Sequence, residues 1–208
     1  FDNALKNNGN KLFQYSNSEG YLPLRQWISG RYKQLYHLDI SPDEILLTNG
    51  SQQAIDLLGK VFIEKGDKVI IEQPGYLGTI QSMMHFEPEL MGVPLKDDGI
   101  DTRHLKNVLR GHEVKMVHLI TNFQNPSGTT YSSNKRKETA ALLNQHNVLL
   151  VEDDPYGELH FEPVDTTPLK KEMRNPSVLL GSFSKTLAPG MRLGWLVTPK
   201  PIMEKIIV

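Results

Sequence analysis

The residues best suited to chemistry lie together in one short polar stretch near the C-terminal end of the chain. Ser182 and Ser184 flank a phenylalanine, Lys185 follows directly, and Arg192 comes after a Pro-Gly turn. Two hydroxyls and a guanidinium can hold one phosphate group through charge-assisted hydrogen bonds. A lysine amine that is kept from water near other cations loses its proton more readily and becomes a Schiff-base nucleophile. The stretch therefore predicts a phosphate cradle beside a reactive amine.

A phosphate cradle next to such an amine is what pyridoxal 5'-phosphate (PLP) requires. The alternative is a polar turn with an ordinary surface lysine and arginine, because short motifs give false matches. The preceding run Val178–Gly181 is short and apolar, which predicts a buried strand that ends at these residues. Other cofactor contacts, found in the right order along the chain, favour the PLP interpretation.

The stretch Ser182–Arg192 resembles the active-site lysine motif of fold-type-I PLP-dependent enzymes, the aminotransferase superfamily. Further motifs follow the order of that family over almost the whole chain. Asn125–Gly128 resembles the Asn-Pro-x-Gly motif of class I and II aminotransferases, although Asn-Pro and Ser-Gly also favour a plain turn. Asp153 and Tyr156 match the family's Asp-x-x-Tyr spacing.

The resemblance implies a role for each matching residue. Lys185 holds PLP as a Schiff base and then serves as general base and acid. Asp153 pairs with the pyridine nitrogen and Tyr76 stacks on the ring. Tyr15 reaches the cofactor phosphate of the neighbouring subunit in a homodimer. The other implied contacts are Ser51, Gln52, Ser182, Ser184 and Arg192 to the phosphate, and Asn125 and Tyr156 to the phenolic oxygen.

Several of these residues also have a plain structural interpretation. Tyr15 can be a loop tyrosine and Tyr76 a core aromatic. Ser51 can cap the helix that follows Gly50, although a Gly-Ser turn between a strand and a helix is itself an anion site. The acids at 152–154 are compatible with Mg²⁺. The histidines lack metal spacing and the glycines match no nucleotide fingerprint, so we predict neither a metal site nor a nucleotide site.

Apolar runs of strand length alternate with segments of helical periodicity. The expected strands are 44–48, 68–72, 90–95, 116–120, 147–151, 178–181 and 192–197, and the expected helices are 22–37, 50–62, 77–86, 101–110 and 132–146. This alternation predicts an α/β fold with a mostly parallel sheet covered on both faces. The resemblance implies the three-layer αβα large domain of PLP-dependent transferases, with a seven-stranded sheet in which 193–197 is the one antiparallel strand.

Composition limits the remaining functional classes. The 208 residues carry a net charge of -1, with 38% hydrophobic and 23% charged residues and no cysteine. These values are typical of a globular protein and give no basic footprint for nucleic acid. The lack of cysteine excludes disulfides and thiol catalysis, and no apolar run reaches membrane-spanning length. We expect a cytoplasmic location.

The chain is expected to be an internal segment of a longer protein. Residues 1–200 are interpreted as the PLP-binding large domain with an incomplete N-terminal edge, and residues 201–208 as the start of a connection to a small C-terminal domain. In the family that small domain carries the arginine that binds the substrate carboxylate. The sequence therefore does not identify the amino acid substrate.

Two functions share these motifs. The first is an aminotransferase that moves an amino group between an amino acid and a 2-oxo acid. The second is the aminotransferase-like effector domain of MocR-type regulators, which requires a helix-turn-helix DNA-binding domain before residue 1. Asn125–Gly128 and Asp154–Tyr156 look more like the enzymes, in particular the aminoadipate and kynurenine aminotransferases. Other PLP chemistry, such as β-elimination or decarboxylation, is supported by the same scaffold.

Overall fold

A computed structural model describes residues 2–9 and 14–207 of the chain. The strands are β1 (Ile45–Thr48), β2 (Lys68–Gln73), β3 (Glu89–Lys96), β4 (Gly99–Ile100), β5 (Val114–Leu119), β6 (Leu149–Asp153), β7 (Ser177–Ser182) and β8 (Gly194–Val197). The helices are α1 (Asp2–Asn8), α2 (Leu22–Tyr36), α3 (Ser51–Phe62), α4 (Leu77–Met84), α5 (Thr102–Gly111), α6 (Ser133–Leu143), α7 (Phe183–Thr186) and α8 (Lys200–Ile206). Strands and helices alternate as the periodicity predicts.

The strands form one sheet in the order β1-β8-β7-β6-β5-β2-β3-β4. The five central strands β7, β6, β5, β2 and β3 run parallel to one another. β8 runs antiparallel to both β1 and β7, so the predicted antiparallel strand is confirmed. A sheet of this kind places the carboxyl ends of the parallel strands at one common edge.

The sheet has eight strands where seven were expected. The additional strand is β4, which pairs antiparallel with the end of β3, in a segment that the sequence predicts as a turn only. Gly99 has a φ of +128°, a value that L side chains rarely adopt, and it lets the chain reverse tightly. Ile100 is then buried in the core, which holds the short strand against β3.

Helices cover both faces of the sheet and give the expected three layers. Alternate residues of β7 point to opposite faces because the side-chain period of a strand is two. Leu180 packs in a core with Leu58 of α3, and α4 and α8 contribute to the same cluster. Leu179 packs on the other face with Ile28 of α2. α5 and α6 also cover that second face through a third cluster that includes Leu105.

β6 ends two residues later than the apolar run predicts. Glu152 and Asp153 continue the strand although both are acids, and both are buried. Glu152 accepts hydrogen bonds from Thr121 Oγ1 at 2.6 Å, Leu169 N at 2.7 Å and Lys170 N at 2.9 Å, which compensates for the loss of water. Asp153 therefore occupies a fixed position in the sheet instead of a loop.

Among residues 2–9 and 14–207, every helix is too short or too polar to cross a membrane.

Candidate active site

The predicted site residues converge on a cavity of about 150 Å³ at the carboxyl ends of β5, β6 and β7. Its lining consists of Gly50, Ser51, Gln52, Tyr76, Ile120, Asn125, Asp153, Pro155, Tyr156, Ser182, Ser184, Lys185, Pro189 and Arg192. Only Tyr15 among the predicted residues is absent from this lining, and its side chain is exposed. The fold thus gathers residues from five separate motifs at one place.

One end of the cavity is built by the N-terminus of α3. Gly50 occupies the N-cap position with a φ of +82°, and no side chain among the described residues forms a cap hydrogen bond there. Ser51 is the first residue of the helix, so the alternative that Ser51 caps α3 is wrong. An uncapped helix N-terminus offers main-chain N–H groups and a positive dipole end, which together favour an anion.

Arg192 supplies a cation at the same end. Its own φ is +49°, and its Nη2 donates to Asn49 O at 3.2 Å, which draws the guanidinium across the main chain of Gly50. A Cβ atom on residue 50 would lie 2.7 Å from Nη2. Glycine is therefore required at position 50 by its backbone conformation, and a larger residue there would also displace the tip of Arg192. The sequence analysis missed this requirement.

The lysine motif folds into the short helix α7. Ser182 is buried at the end of β7, and its Oγ accepts a hydrogen bond from Ser184 N at 3.1 Å. A hydroxyl that accepts one bond still has its own proton to donate to a ligand. Lys185 lies one turn into the motif with an exposed side chain. The shielding from water that the sequence suggests for Lys185 is not provided by residues 2–9 and 14–207.

Asp153 dominates the electrostatics of the opposite end. It is 1% exposed, and its Oδ1 has no hydrogen-bond partner among the described residues. Burial and, to a smaller extent, the neighbouring charge of Asp154 raise the pKa of this carboxyl to about 7. A buried carboxylate without a donor is costly, so this oxygen calls for a cation or an N–H group within the cavity.

Tyr76 occupies the N-cap position of α4 and lines the cavity together with Gln52 of α3. Gln52 Oε1 accepts a hydrogen bond from Ser82 Oγ at 2.8 Å. Burial raises the pKa of Tyr76, so the phenol is neutral. Because its side-chain oxygen is engaged by Ser82, the predicted phosphate contact of Gln52 falls to its amide nitrogen or its main-chain N–H.

Tyr156 lies in a turn that buried polar groups close. Asp154 Oδ1 accepts from Gly157 N at 2.9 Å and from Asn122 Nδ2 at 3.1 Å. Arg136 Nη2 donates to Asn122 Oδ1 at 2.6 Å, and Arg136 is only 3% exposed. Sequence reasoning missed Asn122 and Arg136, since their only signal is polarity at positions that turn out to be buried.

The three consecutive acids do not form a cation site. Glu152 points to Thr121 and to the main chain of Leu169, whereas Asp154 points to Asn122. No group of three histidine or acidic side chains suited to a metal occurs in the described part of the chain.

A family model described as aminotransferase class I and II matches residues 2–207. The aromatic-amino-acid aminotransferase 1 of Thermococcus litoralis is 37% identical over 209 residues, covering 98% of this chain and 50% of that protein. The uncharacterized HTH-type transcriptional regulator YdcR of Escherichia coli is 41% identical over 183 residues, covering 87% of this chain and 39% of that protein. Both groups suggested by the motifs are thus among its relatives.

A solved kynurenine aminotransferase of Pyrococcus horikoshii, in complex with PMP, superimposes with a TM-score of 0.93 at 36% identity. The match covers 99% of this chain and 52% of that one. The fold and the site thus define the large domain of a fold-type-I transferase. The chain belongs to the class I and II aminotransferase family. It spans about half the length of the aminotransferases it matches.

Proposed function

We propose that this chain is the cofactor-binding part of a PLP-dependent aminotransferase, which moves an amino group between an amino acid and a 2-oxo acid. The observation that carries the proposal is that one cavity holds an amine, an anion-binding end and a buried carboxylate oxygen that has no donor in the described part of the chain. Similarity to an aromatic-amino-acid aminotransferase and to an enzyme solved with PMP supports it.

The side chains at the ring end fit the pyridine part of PLP. Asp153 Oδ1 is free to accept from the protonated ring nitrogen, which resolves the burial of that oxygen. Tyr76 packs on the ring face, and Asn125 and Tyr156 donate to the phenolic oxygen. Bound PLP withdraws electrons from the α-carbon of the amino acid, provided that the ring nitrogen stays protonated. Keeping that proton in place is the task of Asp153.

The other end fits the phosphate. The main-chain N–H groups of Ser51 and Gln52, the hydroxyls of Ser51, Ser182 and Ser184, and the Arg192 guanidinium bind its oxygens. A phosphate dianion is stabilised there by the helix N-terminus and by charge-assisted hydrogen bonds from the guanidinium.

Lys185 is the only lysine that lines the cavity, among the residues described. Its Nζ would hold the cofactor covalently. Once freed by the substrate amine, the same Nζ would act as the base that takes the proton from the substrate α-carbon and as the acid that returns it.

Three further points belong to the same proposal. The protein is a homodimer in which Tyr15, exposed on one subunit, contacts the phosphate in the other. Residues 1–200 are the large domain and residues 201–208 begin the connection to a small domain. The protein works in the cytoplasm.

The test is an absorbance spectrum of the full-length protein with PLP, before and after addition of a panel of amino acids. We expect the band of the bound cofactor to convert with one class of amino acid and to return with a 2-oxo acid. Lys185→Ala should lack the band of covalently held PLP. If Lys185→Ala and the wild type give the same spectrum, the assignment of Lys185 is wrong.

The second candidate is the effector domain of a transcriptional regulator, favoured by 41% identity to YdcR. For that function the cofactor band shifts with an amino acid and never converts. Binding of DNA by the full-length protein, changed by the same amino acid, would then replace the enzyme proposal.

A further inference from the structure

Gln124 is a buried glutamine that lies outside the cavity but touches the two loops that carry Tyr76 and Asn125. Its side chain is 1% exposed. We propose that Gln124 is a positioning residue that couples these loops and so sets the geometry of the ring end. The inference rests on the proposed function for its effect on PLP, whereas the coupling itself is a property of the protein alone.

The first loop is held by the amide nitrogen. Gln124 Nε2 donates to Pro74 O at 2.9 Å. Pro74 lies between the end of β2 and the start of α4, two residues before Tyr76. This hydrogen bond fixes the main chain at the point where it turns to present the tyrosine.

The second loop is held by the amide oxygen. Gln124 Oε1 accepts from Ser127 N at 2.9 Å and from Ser127 Oγ at 2.7 Å. The main chain of Gln124 closes the same turn, because its N donates to Thr129 O at 2.9 Å and its O accepts from Gly128 N. Asn125 lies inside this turn and moves with it.

The orientation of the Gln124 amide is determined by its partners. A main-chain N–H can only donate, so the oxygen must face Ser127 N, and a carbonyl can only accept, so the nitrogen must face Pro74 O. If the amide were rotated by half a turn, its nitrogen would face the N–H donor of Ser127 and its oxygen would face the carbonyl oxygen of Pro74. One side chain thus meets both loops with a donor and an acceptor that cannot be exchanged.

A buried carboxyl anchors the base of the same region. Glu72, in β2, accepts from Ile120 N at 3.1 Å and from Tyr131 Oη at 2.8 Å. Ile120 precedes the Asn125 turn and Tyr131 follows it. The turn is therefore tied to β2 at its base by Glu72, and to the Tyr76 loop at its tip by Gln124.

The experiment compares variants of the full-length protein. Gln124→Met keeps the length of the side chain and removes both contacts. Gln124→Glu keeps an oxygen for Ser127 and replaces the donor to Pro74 O by an acceptor. Gln145→Glu is the matched control. Gln145 is exposed and lies far from both loops in sequence, and its Nε2 donates to a single carbonyl, that of Ala141 in α6, at 3.0 Å.

Amide hydrogen exchange without cofactor measures the coupling directly. We expect Gln124→Met to speed exchange in both loops, at residues 75–78 and 125–129, and Gln145→Glu to leave both unchanged. Ser127→Ala removes only the hydroxyl contact of an exposed residue and should produce a smaller change of the same kind. Unchanged exchange at 75–78 in Gln124→Met and Ser127→Ala would mean that Gln124 supports only its own turn, and would overturn the proposal.

PLP titration measures the consequence for the site. The loss of neutral hydrogen bonds at Gln124 should raise the Kd for PLP by about tenfold and shift the pH dependence of the bound absorbance band. In Gln124→Glu the affinity defect, relative to wild type at the same pH, should shrink as the pH falls through the pKa of the introduced carboxyl, because the protonated form again donates to Pro74 O. A defect that is independent of pH contradicts the positioning role. Failure of the wild type to bind PLP would refute the proposed function, while the exchange data would still decide the coupling.

Discussion

The two ends of the cavity are built on different principles. The phosphate end depends on main-chain geometry, with Gly50 and Arg192 both at positive φ and with the uncapped N-terminus of α3. The ring end depends on buried side chains, with Asp153 in a strand and Gln124 between two loops. The attraction between the exposed Arg192 guanidinium and an anion is weakened by water and salt. The attraction between the buried Asp153 carboxylate and a cation is screened much less.

This difference predicts that the two ends control different quantities. Changes at the phosphate end should alter mainly the affinity for the cofactor and the stability of the turn that binds it. Changes at Asp153 should alter mainly the rate and its pH dependence, because burial couples this carboxyl to its own protonation, whereas changes at Gln124 act on the affinity as well. The following substitutions test the distinction.

The largest effect is expected at Asp153. Asp153→Asn retains the shape but removes the charge that keeps the ring nitrogen protonated, and losing one partner of a buried ion pair costs enough to slow transamination by on the order of 100-fold or more. The measurement is the single-turnover rate with PLP saturating. Asp97→Asn, in an exposed turn, is the control and should behave as wild type. A rate for Asp153→Asn within about tenfold of wild type would show that the charge of Asp153 is not needed for catalysis.

Gly50→Ala should destabilise the protein. A φ of +82° with ψ of 167° is accessible only to glycine without strain, and the new Cβ would approach Arg192 Nη2. We expect the free energy of unfolding to fall by about 2 kcal/mol in denaturant titrations.

Gly30→Ala is the matched control for this change. Gly30 lies inside α2, and a Cβ added there meets nothing within 4 Å. Alanine favours a helix interior over glycine, so this variant should gain roughly 0.5–1 kcal/mol. Equal losses in both variants would show that the geometry of Gly50 has no special role.

Glu72→Gln should change how stability depends on pH. Burial raises the pKa of Glu72 from 4.5 to about 8, so the folded protein retains a proton that the unfolded chain releases between these values. The contribution to stability is complete below pH 4.5 and is lost as the pH rises toward 8, by roughly 1 kcal/mol per pH unit. The free energy of unfolding, measured across this window, should decline less steeply in Glu72→Gln than in wild type. Parallel curves would contradict the buried proton.

The smallest effect is expected for Arg192→Lys. Lysine keeps the charge but loses the planar fork that reaches both the ligand and Asn49 O, so the Kd for PLP should rise by about fivefold. High salt should reduce the difference, because the site is exposed and screened. Arg103→Lys, on an exposed face of α5, is the control. If Arg192→Lys changed the rate more than the affinity, the prediction that the phosphate end controls mainly affinity would be wrong.

The sequence was sufficient for the order of the main strands and helices and for the cofactor that the family uses. Local periodicity identifies these elements but not β4, which falls in a segment predicted as a turn. The resemblance supplied the antiparallel strand, which β8 confirms. Even so, the apolar run placed the end of β6 too early, because Glu152 and Asp153 are acids that the strand buries.

Only the tertiary structure decided which polar side chains are available to a ligand. The sequence shows that residue 52 has an amide side chain, but only the structure shows that its oxygen accepts from Ser82 Oγ. The tertiary structure also placed Arg192 against Gly50 and, among the described residues, left one oxygen of Asp153 without a donor. Local patterns report whether a residue is polar. Whether that polarity is satisfied depends on partners distant in sequence, and that balance sets the chemistry of the site.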